Sequence, residues 1–135
     1  MNDNNLGDFR YFIDHDNRIL YMERHDNLTK KAVYAEWSSM QELDCFDPSY
    51  ESVVDYSFVT CVDVDASDII ELNREMPKHD IRTGNIAIVT GITQGRFMLA
   101  RFFCRIANLI GSRKHMVFNT KAEAELWLFS QRNHE

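Results

Sequence analysis

Little in this sequence punctuates the chain. Two prolines and five glycines in 135 residues leave no room for long low-complexity or structureless stretches. Three cysteines, Cys45, Cys61 and Cys104, stand far apart with no CxxC pair, which argues against a disulfide framework or a cysteine-based zinc site. They read as reduced thiols, with Cys61 and Cys104 inside apolar elements where cysteine acts as a small hydrophobe. Basic residues are scattered among acids and the formal charge is −6, so the stripe of cations that nucleic-acid binding requires is missing. The longest apolar stretch, 97–110, is interrupted by Arg101, Arg105 and Asn108 and is too short to cross a bilayer. The opening residues, MNDNNLGD, are polar and acidic and do not read as a signal peptide. What is present, 44% apolar and 27% charged residues, suits one globular domain over 1–135 with 1–7 as a flexible tail. The expected compartment is the cytoplasm.

Periodicity orders the chain. Residues 9–13 (FRYFI) and 19–23 (ILYME) flank DHDNR and read as a β-hairpin. Thr29 can cap a helix whose apolar positions Val33, Trp37, Met40 and Leu43 recur at helical spacing until DCFDPSYES breaks the pattern. Residues 56–64 (YSFVTCVDV) are β-branched and nearly continuous in apolar character, which predicts the central strand there. A short helix with Ile69, Leu72, Asn73 and Met76 on one face follows, stopped by Pro77. Then come a strand at 86–90, a helix at 96–110 closed by Gly111, and a strand at 115–119. The capping box Thr120–Glu123 opens a last helix carrying Ala122, Leu126, Trp127 and Phe129. The order ββαβαβαβα implies an α/β fold: a mixed, mostly parallel five-stranded sheet with about four helices.

The helix at 96–110, RFMLARFFCRIANLI, is apolar over a wider arc than one sheet face requires. Arg101, Arg105 and Asn108 fall on one narrow stripe, and nearly everything else is apolar. A neighbouring helix, a second copy of the chain or an apolar small molecule would each cover the excess.

Reactive groups are harder to assemble. TCVDVDASDII (60–70) presents Asp63 and Asp65 in the DxDx pattern of haloacid-dehalogenase phosphatases, whose chemistry needs magnesium, a lysine and further acids. The turns after the next strands, TGITQGR and NTKAEAE, do not supply them, so a magnesium-dependent phosphatase stays a remote alternative. Asp65 or Ser67 is instead expected to cap a helix starting near Asp68. TGITQGR (90–96) follows a strand and opens a helix, the recipe for an anion- or partner-contacting turn, without the ending of a Walker loop. His15, His25, His79, His115 and His134 are scattered, and no serine lies in a nucleophile motif, so neither a metal site nor a catalytic triad is nominated.

The C-terminal half resembles the SpoIIAA-like family, which shares its fold with STAS domains. The matching features are RTG before the strand IAIV, a helix carrying Gly95 and LARFF, the strand MVFN and the helix AEAELWL. The resemblance implies an α/β sandwich with helices mainly on one face of the sheet, and a binding or regulatory module that is not an enzyme; no cofactor is expected. It also implies a phosphorylatable serine after the central strand, and the matching position is Ser67. Asp68 and Ile69 stand where that motif has a small residue and glycine. SEC14-like lipid carriers resemble the same fold class more distantly.

The expectation is therefore recognition of another protein, with a homodimer as one form of it. Thr93, Gln94, Gly95, Arg96, Phe97, Phe102 and Ile106 are the candidate contact residues. The second reading is a carrier or sensor of an apolar or acidic small molecule held between this helix and the sheet. A cavity larger than a few waters would separate the two readings.

Overall fold

The hairpin forms where alternating large side chains flank a polar turn. Strands β1 (Phe9–Asp14) and β2 (Ile19–Arg24) pair antiparallel, and Asp14 closes the turn by accepting from the Asn17 backbone and side chain. This computed structural model describes residues 6–43, 46–111 and 113–132, and the side chain of Gln94 lies outside the description. The expectation of a loose tail over 1–7 thus falls outside it for residues 1–5, as does the reading of Cys45 as a reduced thiol.

After a two-residue strand β3 (Leu28–Thr29), Thr29 caps α1 (Lys30–Met40) by accepting from the Ala32 backbone at 3.0 Å. Strand β4 (Glu51–Asp55) follows, and β5 (Val62–Asp63) pairs in parallel with β3 in a small separate ladder. The remaining elements are α2 (Ala66–His79), β6 (Ile86–Val89), α3 (Gln94–Ile110), β7 (His115–Phe118) and α4 (Lys121–Arg132). The main sheet runs β1-β2-β4-β6-β7, antiparallel only at β1–β2.

Period-2 alternation divides the sheet between two cores. Leu20, Met22, Val54, Ile86 and Ile88 face α1, α2 and α3, whereas Ile19, Val53, Ala87 and Val89 face α4 through Ala124 and Leu128. Three helices on one face and one on the other is the expected sandwich. On the α4 side, Arg132 ties back to Glu51 at 2.8 Å, and Lys121 sits 4.7 Å over the Tyr21 ring.

The central strand lies elsewhere than predicted. It is ESVVD at 51–55, every residue of it buried, and not 56–64. Its flanking acids hide it from a hydrophobicity reading, because partners make their burial affordable: Glu51 takes Arg132, and Asp55 accepts from both the backbone and hydroxyl of Ser57. The stretch 56–61 instead turns over the end of the sheet, with Val59 donating to Tyr56 and Thr60 to Asp26. Cys61 is consequently exposed, whereas Cys104 is buried and its thiol is pushed up to about 12 by that burial.

Smaller differences have local causes. Pro77 does not stop α2, since a proline in the last turn forfeits only the bond to the Asn73 carbonyl, and the helix closes at Asp80 through Met76. Ile69, Leu72, Asn73 and Met76 form its buried face as the spacing predicts. Helix α1 ends at Met40, so Leu43 packs against the core from the following turn. In α4 the inward residues are Ala124 and Leu128, with Trp127 half-buried against Phe118; Ala122, Leu126 and Phe129 are exposed.

Candidate functional site

The three helices on the larger face do not close completely onto the sheet. Between them lies a cavity of about 100 Å³. Its floor is Met22 of β2, Val54 of β4, and Ile86 and Ile88 of β6. One wall is α1, which turns Val33, Glu36 and Trp37 inward at helical spacing; another is α2, with Ile69, Leu72 and Met76. Helix α3 supplies Arg96, Leu99, Ala100 and Phe103, and Val62 and Val64 border it from the segment before α2.

Most of this lining is apolar, but it includes the deeply buried polar groups Glu36, Arg82 and His115. Glu36 is 1% exposed and accepts from Arg24 Nε at 2.6 Å and from the Tyr56 hydroxyl at 2.7 Å, so both its oxygens are engaged. Burial raises the Glu36 carboxyl above its ordinary value, and Arg24 and Tyr56 pull against that rise. Arg24 extends the chain outward to Asp26 and to the Leu6 carbonyl, both at 2.5 Å.

A second buried group stands between the end of α2 and the start of β6. Asp80 accepts Arg82 Nε at 2.9 Å and Nη2 at 2.8 Å, and also Arg113 Nη2 at 2.8 Å. Burial works to raise the Asp80 carboxyl, but the two arginines outweigh it and hold it far below the usual range. Arg113 also donates to the Arg82 carbonyl at 2.5 Å, which fixes the approach to the strand. His115, 3% exposed, borders the cavity with its ring edge against Phe103, and Asn108 of α3 clamps its backbone by two hydrogen bonds. Burial, then the charges of Arg113 and Arg82, lowers its pKa to about 3, so the ring is neutral near pH 7.

Of the candidate contact residues named from the sequence whose side chains are described, Arg96 is the one that lines this cavity. Thr93 is the N-cap of α3 without a side-chain cap bond, and Gly95 is exposed with open space where a Cβ would stand. Phe97 and Ile106 are half-buried and Phe102 is 36% exposed, none of them on the cavity wall. The wide arc of α3 thus divides: Leu99, Ala100 and Phe103 face the cavity, Cys104 and Ala107 are buried, and Met98, Phe102 and Leu109 meet solvent.

Ser67 is exposed in the first turn of α2. Asp65 caps that helix in a reciprocal box with Asp68, at 2.8 and 3.1 Å, which settles the cap in favour of Asp65. Asp63 belongs to the two-residue β5 and not to the tip of a central strand, so the geometry behind the phosphatase pattern is not formed. Among the described residues, no three His, Cys, Asp or Glu side chains come together to hold a metal ion, and no helix is long and apolar enough to cross a membrane.

No family model matches the chain, and no curated protein matches it. Among solved structures, it is similar to an uncharacterized protein of the DUF3478 family from Shewanella loihica PV-4, described as having a SpoIIAA-like fold. The two share 19% identity with a TM-score of 0.54, over 95% of this chain and 98% of that one. The fold is therefore SpoIIAA-like.

Proposed function

We propose that the protein is a non-catalytic binding module whose interior cavity takes up a small, largely apolar molecule, as a carrier or sensor. The cavity itself supports this reading best. A water needs roughly 10–15 Å³ of such space, so about 100 Å³ is room for several waters among groups that offer them few partners. Apolar walls with a few convergent polar groups are the usual make-up of a small-molecule site. Native mass spectrometry of gently purified protein should reveal a sub-stoichiometric mass increment that organic extraction removes. Failing a co-purified ligand, benzyl alcohol should shift the methyl signals of Val54, Leu72 and Ile88; no shift at millimolar concentrations would sink the reading.

The exposed side of α3 supports a second reading, recognition of a protein or of a second copy. Met98 is 55% and Leu109 84% exposed, on the same side of the helix as Phe102. Light scattering of the unmutated chain should then show self-association that Phe102→Asp weakens without harm to the fold. A monomer at all concentrations would remove the homodimer. Free Cys61 and Cys104 suit a reducing compartment such as the cytoplasm.

A further inference from the structure

We propose that the molecule taken up by the cavity is a small monoanion, with its carboxylate held by Arg82 and its apolar body lying towards α2 and α3. This deepens the cavity reading and rests on it. Arg82 borders the cavity and is 7% exposed. A guanidinium carries five N–H donors. Nε and Nη2 of Arg82 are spent on Asp80, while Nη1 has only the Met22 thioether at 3.4 Å among the described residues, a weak acceptor. A buried cation with an idle corner is costly unless something fills it.

The surrounding groups do not fill it. Glu36, the nearest carboxylate of α1, has both oxygens taken by Arg24 and Tyr56. Asp80 is shared between Arg82 and Arg113, so this group holds two cations and one carboxylate, all at most 10% exposed. His115, a further cavity residue, has a Nδ1 with no hydrogen-bond partner among the described residues. One positive charge, one free edge of a guanidinium and one idle imidazole nitrogen match a carboxylate. A phosphate dianion would bring more charge and more acceptor sites than these donors serve.

Size narrows the class further. An engineered cavity of about 150 Å³ takes up benzene, and this one is about 100 Å³. The enclosed part of the occupant is therefore smaller than a benzene ring, the size of a short branched chain, and an aromatic acid such as benzoate fits with part of its ring in the open side of the cavity.

Calorimetric titration of the full chain at pH 7 with benzoate, benzyl alcohol and inorganic phosphate tests the assignment. Benzoate should bind at least tenfold tighter than the neutral alcohol, with phosphate weaker than either. Arg82→Met, which leaves Arg113 on Asp80, should make benzoate and benzyl alcohol bind alike, and Arg96→Gln should preserve the preference. If Arg82→Met does not fold, the Arg82 side-chain ¹⁵N signals of the unmutated chain should move with benzoate and not with benzyl alcohol. Ala100→Leu, which fills the cavity with the Arg82 pair intact, should weaken both ligands. Equal binding of acid and alcohol by the unmutated chain would overturn the anionic head while leaving the cavity reading standing. Binding of neither would remove both, and loss of preference in Arg96→Gln alone would overturn the assignment to Arg82.

Discussion

His115 illustrates how much a single buried side chain can reveal. Its unfolded form takes a proton near pH 6.5, whereas the folded ring does so only near pH 3, because burial and two neighbouring arginines oppose the charge. Between those values the unfolded chain binds more protons, so stability rises with pH across the window and falls as the pH drops through it. The slope is at most about 1.4 kcal/mol per pH unit, which amounts to about 2 kcal/mol between pH 7 and pH 5. Urea unfolding at a series of pH values should show this loss in the unmutated chain and a shallower one in His115→Gln. Identical slopes would mean that the ring is solvated. The Arg24–Glu36 pair is the other sensitive point. Arg24→Met strands a buried carboxylate and should cost about 3–5 kcal/mol by the same measurement. Both charges were visible on buried faces in the sequence: Arg24 shares the phase of Leu20 and Met22, and Glu36 sits at helical spacing among Val33, Trp37 and Met40. A charge on an apolar stripe was the available signal for the polar lining of the cavity.

At the scale of elements, two glycines behave oppositely. A Cβ on Gly84 would stand 2.4 Å from the Tyr50 carbonyl oxygen and 2.7 Å from that of Ser49, because the chain entering β6 passes tightly under the one entering β4. Gly84→Ala should therefore destabilise by about 2 kcal/mol or more. Gly95, in the first turn of α3, faces open space. Gly95→Ala should stabilise by about 0.5–1 kcal/mol, since alanine restricts the unfolded chain and favours helix. Thermal or denaturant unfolding of the pair should show opposite signs; equal effects would refute the packing described at Gly84. Helices with strong local signals were legible from the sequence: the Thr29 cap, the Thr120–Glu123 box and the Ile69–Leu72–Met76 spacing all appear as read. The central strand was not. Its apolar content is two valines between acids, and those acids are tolerable only because Arg132, 81 residues away, and Ser57 meet them. The neighbouring 56–64 has higher strand propensity, and tertiary pairing overrode it.

For the molecule as a whole, the two faces of the sheet differ in what they leave unfilled. The α4 side closes on Ala124 and Leu128 between Val53 and Val89, whereas three helices on the other side meet around open space. The excess apolar arc of α3 announced that something beyond the sheet must cover it. Whether that was a helix, a copy or a ligand depended on how Leu99, Ala100 and Phe103 register against α1 and α2, which no local pattern encodes. The measurement that tests the account most directly is a crystal structure of the full chain under xenon pressure. Electron density for the noble gas between Met22, Val54, Leu72 and Phe103 is the expected result, as apolar cavities of this kind bind it. Side chains of α2 and α3 in van der Waals contact with the sheet, with no xenon among them, would contradict the account.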